Sequence, residues 1–600
     1  MSFNGIMLRD AEEITNGWGN YFKNLYTPDN LERFDSQFHD NVMSNIARLN
    51  RVLFQYNTPN DNIATVDDKL IDALIRKGKR GKAPGVDKIS YEHFVFGGNI
   101  LRKILSKLFT AMIKYSHIPK DMKKGLIITL FKGGNKIRSD PNSYRAITLT
   151  SVFMRLFEGV LLQKIEQTRP IVTDPLQCGF QKGLSCLSTS FVLKESIYRC
   201  IENQSKLFVC FLDAKQAFDR VWHEGLFSKI YSTGMDVSIY KAFINMYTDL
   251  ESRVRFRGFL SDWFPVMRGT RQGGVSSPKL YLLYIDGLIK ELKDSGLGLC
   301  LYENNLASPT VADDMCLVTL SKGALDQMMN ICFRYSCKWR YEYNARKCAV
   351  IVFNDTYRHV HVDKRQWMLG RDPVDEKFDY THLGVKLSKF LSVGVCVSEA
   401  ADKLRASFFR LVSCGLHDQG VNPLTSFKIY RSVVLPKALY GCELWDNISN
   451  DDLLKLERSH RKCLRFMQGL PRSTRSDVVL SMIGSRSLEG EIDCRKLIFF
   501  EQMCNLPDTF VAKTIFLNRV VSYYDRPYQK KGFVPDIYRI FGKYGLIHVL
   551  NHFVASGQFP SKIAWKYLIK CSIDKYETAS RIARMRSDTY LLSYAKICPI

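Results

Sequence analysis

Residues 208–222 read FVCFLDAKQAFDRVW, and residues 310–318 read TVADDMCLV. The first stretch opens with a short apolar run bounded by polar residues, the pattern of a buried strand, and Asp213 stands at its end. The second places two acidic residues between β-prone pairs, which predicts a hairpin with Asp313 and Asp314 at its tip. A carboxylate at a buried strand end is costly unless charge neutralises it. If the two elements are neighbours, the three aspartates form a cluster that only cations make tolerable. Hard oxygen ligands of this kind suit magnesium, which keeps open positions for phosphate oxygens. Taken alone, Asp313 and Asp314 read equally well as ordinary turn formers.

Outward from these stretches the texture changes along the chain. Asp10 and Glu13 have capping-box spacing, and Trp18, Phe22 and Leu25 follow at helical intervals, so a helix is expected near 11–26. A polar stretch follows to about residue 65. Leu70, Ile71, Leu74 and Ile75 suggest another helix, ending in the basic run Arg76, Lys77, Lys79, Arg80 and Lys82 and then the turn KAPGVD at 82–87. From about 126 short strands prevail: LIITLF (126–131) and YRAITL (144–149), joined by the loop KGGNKIRSDPNS (132–143). A helix starts near 277, with Ser277 as N-cap and Pro278 in the first helical position. Leu280, Leu283, Tyr284 and Leu288 trace its apolar face. Beyond about 391 the pattern is helical over 397–416, 422–440 and 451–469, and the last 120 residues are mixed, without a chemical signature. There is no internal repeat and no low-complexity tract.

The 600 residues carry 86 Lys and Arg against 60 Asp and Glu, a net charge of +26. Self-repulsion of that size disfavours a compact state, and a polyanionic partner would relieve it, nucleic acid first among the candidates. The 17 cysteines show neither C-x-x-C nor zinc-ligand spacing and include small core residues such as Cys210 and Cys316. Reduced thiols and an intracellular location, nucleus or cytoplasm, are the expectation. No targeting signal and no membrane-length apolar run is recognised.

FLDAKQAFDRVW, RQGGVSSP (271–278) and VADD, in that order, resemble motifs A, B and C of the reverse transcriptase palm. Upstream, LFKGGNKIRSDPNSYRAITLTSVFMRLFEGVL (130–161) resembles the finger strands and following helix of non-LTR, LINE-like retrotransposon enzymes, and QCGFQKGLSCLSTSF (177–191) the segment after them. Downstream, NARKC (344–348) resembles motif D, YTHLGVKL (380–387) the primer-grip hairpin and VVLPKALYGCELW (433–445) the helical thumb. The resemblance runs over about 66–480, with WGNYF (18–22) typical of the entry to this domain.

What the resemblance implies is an α+β right-hand polymerase with helical extensions at both ends. Residues 1–65 would form an N-terminal helical extension, 66–390 the fingers and palm, 391–480 the thumb, and 481–600 a C-terminal extension of unknown role. It would make DNA on an RNA template from dNTPs, with two Mg2+ ions (Mn2+ as substitute), primed by a nicked DNA target. Asp213 and Asp313 would bind the metals directly, with Asp314 as third acid. Phe218 matches the aromatic position that excludes a ribose 2′-hydroxyl, while Asp219 reads as structural. Arg145 and Lys132 match residues gripping the triphosphate. Gln272 and Gly273 match the turn beside the nascent base pair. Lys347 matches a proton donor to pyrophosphate, and Leu383 and Gly384 the primer-grip turn.

Two departures stand out. Val311 replaces the aromatic residue usual before Ala-Asp-Asp, which predicts altered fidelity or processivity. Motif B reads GGVSSP where many relatives have an acidic residue and a leucine. No endonuclease signature is evident. The rival readings are a non-enzymatic RNA-binding relic of a retroelement and a group II intron-type reverse transcriptase or maturase. An intact acid triad speaks against the relic.

Overall fold

The computed structural model describes residues 1–3, 5–29, 31–55, 65–134, 136–355, 366–525 and 531–587. It is a helix-plus-sheet protein built on two antiparallel-rich sheets and a helical second half.

The opening helix α1 spans Ala11–Tyr26. The Asp10 side chain accepts the backbone N–H of Glu12 and Glu13, which caps it. Its apolar face is not a detached extension. Trp18 is fully buried, stacked on Phe22 and edge-on to Tyr144 of the first sheet. The polar stretch expected to about 65 holds a 20-residue helix, α2 (Ser36–Gln55), which buries only Val42 and Ile46. Its apolar positions Phe38, Val42, Ile46, Leu49 and Leu53 keep helical spacing, so the polar reading of this stretch is corrected. Helix α3 (Asp68–Lys77) follows where the leucine and isoleucine spacing put it.

Strands β1 (Gly125–Phe131) and β2 (Tyr144–Thr150) pair antiparallel, with Leu130 opposite Arg145. With β4 (Glu251–Phe256) and two short strands they make the first sheet, in which β1 lies parallel to β4. Between them come α4 (Val152–Thr168), α5 (Cys186–Glu202) and β3 (Leu207–Leu212). All six residues of β3 are buried, as a central strand covered on both faces requires. It runs antiparallel between β6 (Asp314–Thr319) and β7 (Ala349–Phe353). The short β5 (Thr310–Val311) pairs with β6, and Asp372–Glu376 and Trp367–Leu369 extend the sheet on its far side.

Helix α6 spans Ser277–Asp294, so its cap is Ser276, one residue earlier than the Ser277 cap expected. The shift has a cause. The Ser276 N–H and hydroxyl both donate to the buried Glu158 carboxylate of α4, which ties the helix start to a neighbour. Strands β8 (Asp379–His382) and β9 (Val385–Ser388) form a hairpin that leads into α7 (Val393–Val412).

The helix expected over 422–440 is Pro423–Ile429, a wide π turn Tyr430–Val434 and Leu435–Ala438. Pro436 cannot donate an N–H, and the wide turn accommodates that missing bond. With α8 (Asn450–Gln468) these helices enclose a second apolar core reaching from Val397 to Ile492. In the last part, expected to be mixed, every element among the described residues is a helix. Helix α9 (Leu488–Cys504) gives Leu488 and Ile492 to the second core and Leu497 to the main one, so packing shows no break at 480. The buried Arg519 pairs with Glu195 and Glu202 of α5, which anchors this end of the chain on the main core. Residues 588–600 lie outside the described residues.

Candidate active site

Met315 pairs with Leu212 at the end of the ladder, and Asp314 and Asp213 are the next residues outward on the two chains. Val311 pairs with Asp314, which leaves Ala312 and Asp313 as the two-residue turn, with Ala312 in the left-handed region at φ 57°. Asp313 is thus at the tip, and Asp314 opens the strand. Gln177 pins this tip: its Oε1 accepts the N–H of Ala312 at 2.8 Å and of Gly179 at 2.9 Å. A Cβ on Gly179 would stand 2.4 Å from the Ala312 nitrogen, so only glycine allows the approach.

The clustering shows in the electrostatics. Burial pushes the Asp313 carboxyl up, and the Asp213 charge adds to it. Asp314 is pushed up to about 6 by desolvation and then by the charges of Asp313 and Asp213. Among the described residues, no three or more His, Cys, Asp or Glu side chains form a preformed metal cage. One positive charge is already in place. Lys347 Nζ stands 3.2 Å from Asp213 Oδ2, on a turn in which Asn344 N–H donates to the Asp213 carbonyl and Lys347 N–H to the Asn344 carbonyl. An open, all-oxygen donor set under like-charge repulsion fits a hard divalent cation whose remaining ligands come from water and phosphate.

These residues line a cavity of about 1110 Å³. The lining is also basic, with Lys132, Lys136 and Arg145 in the same cavity as the acids and Lys347. Lys132 Nζ donates to the Asn142 carbonyl at 2.7 Å. Its pKa is lowered by burial and then by Lys136, Lys347 and Arg145. Cations crowded enough to perturb one another are relieved by a multiply charged anion.

Phe218 sits half-buried in the turn after β3 and lines the same cavity. Its ring stacks on Tyr281 of α6 with centroids 4.3 Å apart and meets Phe180 edge-on at 6.2 Å. Gln272 and Gly273 line the same cavity. The Gln272 carbonyl accepts the Thr148 N–H at 2.8 Å. Gly273 has φ 134°, and a Cβ there would stand 2.5 Å from the Thr148 oxygen, so this turn needs glycine. Asp219, read from sequence as structural, also lines the cavity; its carboxylate is buried.

Leu383 and Gly384 stand apart from the cavity lining. They form the two-residue turn between β8 and β9, both at positive φ (51° and 80°). The Tyr440 hydroxyl donates to the Leu383 carbonyl at 3.1 Å, which docks the hairpin tip on the second helical core. The sequence reading missed Gln177, Phe180, Tyr281 and Tyr26, all of which touch residues singled out above. Gln177 and Phe180 lie inside a quoted stretch, QCGF, without a role. Tyr281 and Tyr26 read as helix-face aromatics, and nothing in spacing alone distinguishes them from core.

Residues 123–387 match the family described as reverse transcriptase (RNA-dependent DNA polymerase). A probable RNA-directed DNA polymerase from transposon X-element of Drosophila melanogaster is 26% identical over 418 residues, 67% of this chain and 44% of that protein. The RNA-directed DNA polymerase from mobile element jockey of Drosophila funebris is 24% identical over 451 residues, 73% of this chain and 48% of that protein. A Pol polyprotein from the type-1 retrotransposable element R2 of Popillia japonica is 25% identical over 374 residues, 61% of this chain and 50% of that protein. The chain spans about half the length of these curated relatives. Among the described residues no helix is long and apolar enough to cross a membrane.

Proposed function

We infer that this chain, which carries a reverse transcriptase domain over residues 123–387, copies the RNA of a non-LTR retroelement into DNA from dNTPs, primed by a DNA 3′ end. Fingers and palm would be 66–390 and the thumb 391–480, the right-hand arrangement. The observation that carries the reading is the register of β3 and β6, which brings the strand end before Asp213 next to the Asp313–Asp314 tip, with all three acids and Lys132, Arg145 and Lys347 lining one cavity.

Asp213 and Asp313 would hold two Mg2+ ions, with Asp314 beside them. When bound, such ions lower the pKa of a primer hydroxyl and neutralise triphosphate and pyrophosphate charge. The chain's own groups supply the rest. Arg145 offers a fork of donors and Lys132 a point charge to the triphosphate oxygens. Lys347 holds a proton next to Asp213, within reach of a leaving group on the acid side. Gly273 lets the backbone approach the new base pair, and Phe218 with Tyr281 behind it forms a wall under the sugar. With little covalent chemistry for the protein to do, placement and charge account for most of the rate.

The test is primer extension by purified protein on an RNA template with a DNA primer, dNTPs and Mg2+. Extension is expected, and Asp313→Asn should abolish it while template affinity stays within about twofold. Parental extension by that variant, or none by the parent in Mg2+ or Mn2+, would overturn the reading.

A further inference from the structure

Asp219 is a buried carboxylate without an ion pair among the described residues. Its partners are neutral. The Tyr26 hydroxyl, from the last residue of α1, donates to Oδ1 at 3.2 Å, and Gln272 Nε2 donates to Oδ2 at 2.8 Å. Tyr26 and Asp219 are 5% and 6% exposed, so water does not share the site freely. A buried, unpaired carboxylate is an expensive way to make two hydrogen bonds. Asparagine or serine would link the same elements at lower cost, so the distinctive property of the acid is that it only accepts.

That property decides how Gln272 stands. Above about pH 7 the carboxylate is ionised and has no proton to give, so the glutamine must turn its NH2 toward Asp219. Its Oε1 is then left as the acceptor on the cavity side, while its main-chain carbonyl is tied to Thr148. The same polar system reaches further into α1. Gln216 donates to the Tyr21 hydroxyl at 3.3 Å, and Tyr21 donates to Asn142, whose carbonyl holds Lys132. The N-terminal helix therefore forms a wall of the nucleotide cavity, with Tyr21 in its lining.

We propose that Asp219, steadied by Tyr26, is a positioning residue that fixes the Gln272 amide with its carbonyl oxygen toward the nucleotide. This rests on the polymerase reading for what enters the cavity. Burial, which pushes the Asp219 carboxyl up to about 7, agrees with a site kept for more than stability. A fixed amide recognises a donor on the nucleotide, a sugar hydroxyl or a base N–H. A free amide presents either end and loses the discrimination.

The experiment measures single-nucleotide addition by the parent, Asp219→Asn, Gln272→Ala and the double variant. Asparagine can offer Gln272 either an oxygen or an NH2, so it releases the amide without changing shape. Asp219→Asn should raise the dGTP KM at least about tenfold and leave kcat within about threefold, with template–primer affinity unchanged. In the Gln272→Ala background the same change should add less than about twofold, because the group it orients is gone. Tyr26→Phe, a milder change, should move KM the same way by a smaller factor and so stands in if the asparagine variant folds poorly. Protection of the template–primer complex by dGTP against thermal unfolding reads the same coupling without turnover. Parental KM and protection in Asp219→Asn, or fully additive effects in the double variant, would overturn the proposal. If the parent fails to extend, the polymerase reading falls, and the protection measurement still decides this one.

Discussion

The Lys347 ammonium stands 3.2 Å from the Asp213 carboxylate, so one of the three site acids is already paired with a cation of the chain itself. Lys347 is 62% exposed at its side chain and Asp213 30%, which makes the pair open to solvent and exchangeable. A metal ion at Asp213 must displace or share that charge. Lys347→Met should therefore lower the Mg2+ concentration for half-maximal extension by about threefold or more. If Lys347 is the proton donor proposed above, its loss should at the same time cut the rate at saturating Mg2+ by at least about tenfold, ~1.4 kcal/mol of barrier. A Mg2+ titration of both proteins reads the two effects separately. An unchanged or higher Mg2+ requirement would show that the pair does not compete.

Phe218 is held between Tyr281 and Phe180 rather than sunk in the core, and its ring faces the cavity. A ring against C2′ leaves no room for a hydroxyl on that carbon. Phe218→Ala should raise ribonucleotide use relative to deoxynucleotide at least about tenfold, ~1.4 kcal/mol of discrimination. Tyr281→Leu, which removes the stacked support but keeps Phe218, should give a smaller rise of about threefold. Competition between dGTP and GTP on one RNA template measures both. Equal ratios in all three active proteins would return Phe218 to packing alone.

The charge of +26 predicts that binding to a template–primer duplex is driven by phosphate contacts. Affinity should fall linearly on log–log axes with salt, at a slope of several units, each contact adding roughly 0.7–0.9. Fluorescence anisotropy at a series of NaCl concentrations gives the slope. Affinity flat from low to moderate salt would contradict it.

Asp219 also predicts a pH signature in stability. Burial raises its carboxyl first of all, while the hydrogen bonds of Tyr26 and Gln272 and the charges of Lys132 and Arg220 pull it down, for a net value of about 7. Tyr21 faces the same group from α1. The unfolded chain gives up this proton near pH 4, and the folded chain keeps it to about 7. Between those limits the folded state binds more protons, so stability from this group falls as pH rises and is level above. Asp219→Asn removes the slope. Its stability relative to the parent should rise by on the order of 1–3 kcal/mol between pH 5 and pH 8. Urea midpoints at the two pH values check it, and a stability of the variant relative to the parent that stays constant or falls toward pH 8 would refute it.

The sequence by itself located the chemistry along the chain. An all-apolar FVCFL ending in Asp213, and two acids between β-prone pairs, suffice to predict a buried strand and a hairpin, because alternation and burial are local properties of residue type. The cap at Asp10 belongs to the same class. Three matters were left to the tertiary structure. How deeply α2 packs is one of them: its apolar positions Phe38, Val42, Ile46, Leu49 and Leu53 keep helical spacing, but only Val42 and Ile46 are buried. The start of α6 moved by one residue because Glu158, 118 positions away, takes the hydrogen bonds of Ser276. And Tyr26, Asp219 and Gln272 meet only when α1, the turn after β3 and the turn before α6 are packed together, at separations of 193 and 53 residues. Spacing along a chain reports which side chains share a face of one helix or strand. Which faces of different elements meet is fixed by the packing of the whole core, and there the setting of the Gln272 amide was decided.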